Sequence, residues 1–511
     1  MRRNSGVFAV AIAFAAGACA PVGPDFVKPD LDPPADWSQS VEQGLDPAAH
    51  SLDRWWEQFN DPVLNELVER ARRNNNALQI SGLGVLEARA LLGIASGSSY
   101  PQTQILAGSA MYVSPAENTG VKSGFGQYSV GLSASWEIDF WGKYRRGIES
   151  ADAAFMASKA GYSQAQVLLT AAVVSAYSVA RITEAQLEIS EQNVVLQERS
   201  FQIASVLYEN GEDSELDVQQ AKTLLLATQA SIPSLRAALK QAYNALSVLV
   251  GEPPGTIDAV IGAGPIPEIP EAMGIGFPAD MLRRRPDVFQ AELLAMAQNA
   301  QVGLAEASLY PSFSLLGSIG MSAGGPGDSD FGQMFDADAL GFSVGPQLIW
   351  PFFNYGRIKN NVRVQDARLQ QALVAYRETV LQAAREAEDA MAGYIGARQQ
   401  AEILAKAVES AKRSNQLSTL RYREGFSDYQ RVLDSQQALF SQQQRYIAAR
   451  GEAVLNLIGL FQALGGGWEA DTVPRVRQET LEAMQQRTDW GQLINVIEPV
   501  DSDRTYPRPD W

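Results

Sequence analysis

Residues 129–142 read SVGLSASWEIDFWG, and residues 343–356 read SVGPQLIWPFFNYG. In the first stretch Val130, Leu132, Ala134, Trp136, Ile138 and Phe140 alternate with Ser129, Gly131, Ser133, Ser135, Glu137 and Asp139. Successive side chains of an extended chain point to opposite faces, so this is a strand with one apolar and one polar side. Its length suits the ~9–11 residues with which a tilted strand crosses a bilayer. In the second stretch, with Phe342 before it, Phe342, Val344, Leu348, Trp350 and Phe352 oppose Ser343, Gly345 and Gln347. Pro346 and Pro351 disturb a hydrogen-bonded ladder, so a bulge or bend is expected there. Segments 103–113 and 312–321 alternate more weakly. Four strands are therefore expected, at about 103–113, 128–140, 312–321 and 342–353. The connecting loops 114–127 and 322–341 are rich in Gly, Ser and Asp and read as solvent-exposed.

The two stretches lie 214 positions apart, and other matches keep that spacing. Trp141-Gly142-Lys143 returns as Tyr355-Gly356-Arg357, Tyr208-Glu209-Asn210-Gly211 as Tyr422-Arg423-Glu424-Gly425, and Val218 as Val432. A constant offset over so long a span marks an internal duplication. The first copy is assigned to 56–253 and the second to 272–468, joined by a linker at 254–271. A tail, 469–511, lies outside the duplication. Whether it wraps the helices or stays mobile is left open by its composition.

Each strand pair runs into a stretch without proline, 143–209 and 357–423. In the second, Leu369, Leu373, Tyr376, Val380, Ala383 and Ala387 begin a run of alternating four- and three-residue steps that continues to Ala411. That spacing is a coiled-coil seam. As helices, 67 residues extend roughly 100 Å, too long for a compact domain. After Gly211 and Gly425 helices of about 213–250 and 427–464 run back for ~57 Å. Helices of about 63–95 and 279–308 match the remaining ~40 Å.

The 511 residues carry 41 Lys+Arg and 58 Asp+Glu, a net charge of −17, with one Cys and one His. An acidic chain is a poor nucleic-acid binder. A lone Cys19 and a lone His50 exclude an internal disulfide, the usual zinc ligand sets and a histidine-based triad. No nucleophile–base constellation stands out, so the chain reads as a non-enzyme without cofactor or metal. Ten scattered Met form no metal-binding cluster. Arg283-Arg284-Arg285 reads as a helix-start contact rather than a phosphate site, and Gly274-x-Gly276 is too short for a dinucleotide fingerprint.

Arg2 and Arg3 precede an apolar run from Val7 to Ala18, the pattern of a signal peptide over 1–18. Ala16-Gly17-Ala18-Cys19 resembles a lipoprotein cleavage site, with Cys19 lipidated and 19–55 forming an extended N-terminal segment. The alternative is an ordinary cleavable signal beside an incidental cysteine. No later segment has ~18 consecutive apolar residues, so further spanning must use strands. Four strands cannot close a barrel, which starts at eight, and open edges are not tolerated in lipid. A membrane reading forces an oligomer without fixing three chains, although three would give twelve strands. The alternative is a soluble antiparallel sheet packed on the helices.

Val22-Gly23-Pro24-Asp25, Trp55-Trp56-Glu57-Gln58-Phe59-Asn60-Asp61-Pro62, Arg284-Arg285-Pro286-Asp287, Tyr422 through Gly425 and Val432-Leu433-Asp434-Ser435-Gln436 occur in that order. Together they resemble the TolC/OprM-like outer-membrane efflux lipoproteins, over nearly the whole chain from Cys19 to about Trp468. The resemblance implies a homotrimer with a twelve-stranded outer-membrane barrel, four strands per chain, continued by a long α-helical coiled-coil periplasmic tunnel. It implies a passive conduit for drugs or small solutes, partnered by a periplasmic adaptor, an inner-membrane resistance-nodulation-division pump and outer-membrane lipid.

By position in the family motif, Asp434 corresponds to the aspartate that rings the closed periplasmic pore. Gln430 stands where the family often has Leu, which puts the apolar constriction in question. Tyr422 and Arg431 sit where partners on the neighbouring hairpin are expected, with Asp213 and Asp217 as candidates. Gly211 and Gly425 mark the tips that receive the adaptor. A type I protein-secretion channel shares this fold. A trimeric coiled-coil adhesin or spacer would need export and long helices but not paired alternating strands. Cys19→Ser is expected to abolish metabolic labelling with palmitate; persistent labelling would contradict the lipoprotein assignment.

Overall fold

A computed structural model describes residues 21–29, 45–46, 52–116, 123–269, 273–274, 283–326, 330–469 and 473–500. The signal segment 1–18, Cys19 and His50 lie outside the described residues. In chain order the principal elements are α1 (Pro62–Asn74), α2 (Asn76–Gly97), β1 (Thr103–Val113), β2 (Phe125–Ile138), α3 (Lys143–Glu209) and α4 (Glu215–Leu249). They continue as α5 (Pro286–Ala307), β3 (Ser312–Ala323), β4 (Leu340–Ile349), α6 (Arg357–Arg423), α7 (Tyr429–Ala463), β5 (Arg475–Arg477), α8 (Gln478–Arg487) and β6 (Glu498–Val500). The two longest helices have 67 residues each, and each is followed after a turn by one of 35. The chain divides into two compact units, and α2, α3, α5 and α6 each contribute residues to both.

The first unit comprises residues 1–30, 87–158 and 290–376. Its strands form one antiparallel sheet in the order β1-β2-β3-β4. Among the described residues nothing pairs with the outer edge of β1 or of β4. The register aligns Leu106, Leu132, Ile319 and Phe342 in one row across the sheet. They are 75%, 49%, 50% and 80% exposed, so none of the described residues covers this row. The adjacent row on the opposite face holds Ile105, Ser133, Ser318 and Ser343. Cross-strand hydroxyls bond at 2.8 Å between Ser109 and Ser129 and between Ser318 and Ser343. Glu137, on the same polar face, is held by Lys143 Nζ at 3.1 Å and by the Tyr144 hydroxyl at 3.1 Å.

Strand boundaries differ from the sequence expectation for local reasons. β2 begins at Phe125 and ends at Ile138, because the Asp139 carboxylate turns away to accept Tyr144 N–H (3.1 Å) and Arg145 N–H (3.0 Å) at the start of α3. β4 spans 340–349, not 342–353, and pairs through Pro346 in unbroken register opposite Leu315. Instead of a bulge, the proline sits in an edge strand, where a missing N–H can face away from the ladder. The strand stops before Pro351.

Residues 21–29 strap onto helices of this unit. Val22 N–H donates to Trp141 O (2.9 Å), and Arg146 donates to the carbonyls of Val22 and Gly23 and to Asp25. Asn299 Nδ2 donates to Pro24 O at 2.8 Å. The Val22–Asp25 motif is thus a backbone-docking segment. Gly142 has φ +75°, and a Cβ there would stand 2.3 Å from Cβ of Pro21.

The second unit comprises residues 31–86, 159–289 and 377–511. Trp55 and Trp56 are fully buried, Trp55 stacking on Phe461 at 4.7 Å. Arg72 lies 4.4 Å over the Trp56 ring and donates to Gly467 O at 2.7 Å. Asp61 caps α1 through Val63 N–H and Leu64 N–H and accepts the Tyr177 hydroxyl at 2.5 Å. Arg285 donates to Ala463 O (2.8 Å), Asp287 (2.7 Å) and Glu386 (2.7 Å), so its charge is used in packing helix ends. The helix expected at 63–95 is broken: Asn75 ends α1 and its side chain caps α2 through Leu78 N–H at 2.9 Å. The helix expected from 279 begins at Pro286, with 279–282 outside the described residues.

The tail, left open by the sequence, is docked over 473–500. Parallel strands β5 and β6 with α8 bury Val476, Leu481 and Ile497 against Leu86. Arg477 donates to Asn74 O at 3.0 Å, and Arg475 N–H to the Tyr162 hydroxyl at 3.0 Å. Among the described residues two helical stretches, in α2 and α3, are apolar enough to cross a membrane by length and composition. The α3 stretch is 61% buried by the chain itself, whereas that of α2 is only 28% buried.

Gly142→Ala combines a left-handed backbone with a clash at the docked strap. It is expected to cost about 1–3 kcal/mol, read as a lower thermal unfolding midpoint and faster proteolysis within 21–29. An unchanged midpoint would contradict this packing.

Candidate functional site at the helix turns

Within the second unit, α3 turns into α4 and α6 into α7 by the same device. Gly211 (φ +76°) and Gly425 (φ +74°) take the left-handed conformation that glycine adopts without a Cβ penalty. The closing bonds correspond, Gly211 N–H to Tyr208 O and Glu212 N–H to Leu207 O, Gly425 N–H to Tyr422 O and Phe426 N–H to Arg421 O. A Cβ at either glycine would meet nothing within 4 Å, so backbone conformation alone requires them. Ser214 then starts α4, its hydroxyl accepting Asp217 N–H.

The turns are joined by a small core. Ala204, Ala221, Tyr429 and Val432 are buried together, with Phe201, Val218, Tyr422 and Leu433 around them. Tyr422 meets Tyr429 edge-on with centroids 5.3 Å apart. The Tyr422 hydroxyl donates to Asp213 Oδ2, bonding the end of α6 to the turn before α4. Burial, and then the bond to ionised Asp213, push the Tyr422 pKa well above its ordinary value. Burial followed by the charges of Asp217 and Asp213 pushes Tyr429 up to about 12. Burial works to raise Asp213, but bonds from Tyr422, Asp217 and Ser214 outweigh it and hold Asp213 below its ordinary value. Burial and contact with Asp213 raise Asp217.

Asp434 and Gln430 are exposed on α7, one turn apart, and Gln430 Nε2 donates to Asp434 Oδ1 at 2.8 Å. Arg431 is not brought to Asp213 or Asp217 within this chain; its ion pair is with Asp428, at 3.9 Å on the surface. The structure therefore brings Tyr422 to Asp213, places Asp217 beside Ser214, and leaves Asp434 and Gln430 facing outward.

Sequence reasoning missed a polar stripe inside the helix pairs. Ser190, Asn193, Gln197 and Ser200 of α3 are buried at seam spacing. Asn193 Nδ2 bonds Gln443 Oε1 at 2.8 Å, Gln436 Nε2 bonds Ser200 Oγ at 2.5 Å, and Gln444 Nε2 bonds Ser190 Oγ at 3.1 Å. The available signal was polar residues occupying the alternating three- and four-residue steps where a seam is ordinarily apolar.

Comparison with known proteins decides the family. A family model described as outer membrane efflux protein matches residues 67–252 and 277–466. The chain belongs to the outer membrane efflux protein family. The outer membrane protein OprJ of Pseudomonas aeruginosa is 30% identical over 468 residues, 91% of this chain and 96% of that protein. The toluene efflux pump outer membrane protein TtgI of Pseudomonas putida is 30% identical over 467 residues, 88% of this chain and 96% of that one. The solved structure of the outer-membrane channel OprN superposes with a TM-score of 0.82 at 32% identity, covering 88% of this chain and 99% of that one. This efflux protein is accordingly an outer-membrane channel component of an efflux system, mostly helical with a four-stranded antiparallel sheet.

Gln436→Ala would remove the partner of Ser200 and open a gap in the closed seam. It is expected to destabilise the protein by about 1–3 kcal/mol, seen as a lower unfolding midpoint by circular dichroism. Gln430→Ala, at an exposed position, is expected to stay within about 0.5 kcal/mol. Equal effects would contradict the assigned burial.

Proposed function

We propose that three copies of this chain form one duct, a twelve-stranded barrel in the outer membrane continued by a tunnel of helices in the periplasm. The observation that carries this reading is the four-stranded sheet whose two outer edges have no partner among the described residues and whose apolar face is exposed. A bilayer accepts strands only when every backbone N–H and C=O is paired. Side-by-side copies supply those partners, β4 of one meeting β1 of the next. Exposed Ile80, Leu91 and Ile94 on α2 call for cover of the same kind.

In this assembly the apolar row through Leu132 and Phe342 faces lipid, and the serine-rich face lines the lumen. A wall of hydroxyls and glycine backbone, with Glu137 at its end ion-paired to Lys143, offers hydrogen bonds to polar and zwitterionic solutes without a specific site. No chemical step is assigned to the duct. Cys19 would carry a lipid that anchors the N-terminal segment to the membrane. A periplasmic adaptor, meeting the exposed turns at Gly211 and Gly425, would link the duct to an inner-membrane resistance-nodulation-division pump. The exported compounds would be drugs or small solutes; among the described residues no group of His, Cys, Asp or Glu could hold a metal ion.

The helix turns would form the closed end. Around a three-fold axis the exposed Asp434 side chains of three copies converge, each steadied by Gln430. Converging carboxylates attract cations and repel anions. Tyr422 bound to Asp213 would hold each pair of hairpins inward. Asp434→Ala is expected to raise the conductance of reconstituted channels in planar bilayers several-fold, ~3–10 times, because it removes the side chains, each bonded to Gln430, that would narrow the closed end, an effect larger than the loss of cation attraction. Conductance equal to that of the unaltered protein would remove Asp434 from the closed end.

A further inference from the structure

In the second unit the start of the first copy meets the end of the second around Gly467. Gly467 N–H donates to Leu52 O at 2.9 Å, and Gly467 O accepts from Arg72 Nη2 at 2.7 Å. The glycine is left-handed, with φ +97°, and a Cβ built on it would stand 3.2 Å from Trp55 Nε1 and 3.3 Å from Thr170 Cβ. The Trp55 indole N–H and Thr170 therefore flank this one residue. Arg72, which holds its carbonyl, also lies 4.4 Å over the Trp56 ring. Trp468 follows directly in the chain, and Gln166 stands one turn before Thr170 on α3.

Side-chain hydrogens here outnumber their acceptors. Nε1 of Trp55, Trp56 and Trp468, Nε of Arg72, Oγ1 of Thr170 and Oε1 of Gln166 are buried without a hydrogen-bond partner among the described residues. Apart from Trp468 they belong to residues more than nine-tenths buried, Trp56 and Thr170 completely so. Indole and guanidinium N–H groups can only donate, a hydroxyl serves either way, and only Gln166 Oε1 of these atoms must accept. A buried donor left unmade bears its full desolvation cost. Burial pulls the Arg72 pKa below its ordinary value; Glu69 and Glu469 oppose that pull without cancelling it, and Arg54 and Arg475 add to it.

We propose that this junction is a binding site for a small inorganic anion of halide size, held by the indole N–H groups of Trp55 and Trp56, the Nε–H of Arg72 and the Thr170 hydroxyl. A water molecule in the same place would need to donate two hydrogens as well as accept two, and of the six atoms only Gln166 Oε1 and the threonine oxygen could take them. An anion donates nothing, accepts from several donors at once and balances the guanidinium. The walls favour it as well: Trp55 stacks on Phe461, and between aromatic faces the attraction of an anion to Arg72 is weakly screened. Bound there, the ion would join four parts of the chain. Trp55 and Trp56 open the first copy, Arg72 belongs to α1, Thr170 to α3, and Gly467 closes the second copy. Its role is to lock the two ends of the duplication together.

The test uses the full-length, detergent-extracted protein. Thermal unfolding followed by tryptophan fluorescence is compared in sodium chloride and in sodium gluconate, an anion too large to be enclosed, at equal ionic strength. The midpoint is expected to be about 2–4 °C higher in chloride. Thr170→Val keeps the side-chain shape and removes one donor, and should reduce that difference by about half or more. Gln430→Ala, on the surface of α7, should leave it unchanged. In crystals grown with sodium bromide, an anomalous peak is expected against Trp55 Nε1 and the Arg72 guanidinium; this measurement on the unaltered protein decides the matter where Thr170→Val does not assemble. Equal midpoints in the two salts would overturn the assignment, as would density beside Trp55 Nε1 that scatters as water only, or bromide confined to the protein surface.

Discussion

A β-strand placed in hydrocarbon cannot leave its backbone amides and carbonyls unpaired, since each such group costs several kcal/mol there. Among the described residues β2 and β3 are paired on both sides, while β1 and β4 each keep one open edge. An open edge in water invites aggregation; in a bilayer it requires a partner. Edge and face point the same way here. The row Leu106, Leu132, Ile319 and Phe342 suits acyl chains, while the serine rows behind it suit water. In the proposed assembly a sheet so divided becomes part of a closed wall, since four strands are too few to close one.

The helices follow from the same demand. Copies that share a barrel wall must share whatever continues from it, and α3 and α6 leave the sheet within a few residues of β2 and β4. Asp139 makes the turn into α3 by capping its first N–H groups, and Glu137 ties the strand end to Lys143 and Tyr144. At the other end the helix pairs are joined by few apolar side chains and a stripe of buried amides and hydroxyls. Polar seams of this kind specify register through hydrogen bonds and bury less apolar area than an aliphatic seam. The turns are thus held by a few directional contacts, Tyr422 to Asp213 foremost, which would suit the closed end proposed for the duct.

Much of this was legible in residue order. The alternation around Trp136 announced a two-faced strand, because a period of two has few other physical causes. The proline-free stretches ending at Gly211 and Gly425 announced long helices and their turns, because glycine is the ordinary solution to a left-handed cap. What could not be read depended on contacts distant in sequence. Asn75 breaks a helix by capping its successor, and β4 carries Pro346 because it lies at an edge, a fact of sheet order. The choice of Asp213 as the acceptor of Tyr422, and of Asp428 as the partner of Arg431, depends on how the turns meet. The tail at 473–500 docks through Val476 and Arg477, whose partners Leu86 and Asn74 lie about four hundred residues earlier. The buried amides of the seam went unnoticed because a helical seam is expected to be apolar.

The central claim is that identical neighbours complete the sheet. Native mass spectrometry of the detergent-extracted protein tests it most directly. The account predicts one dominant species containing three chains, which dissociates only when the barrel is denatured. A stable single chain that remains folded in water without detergent would contradict it.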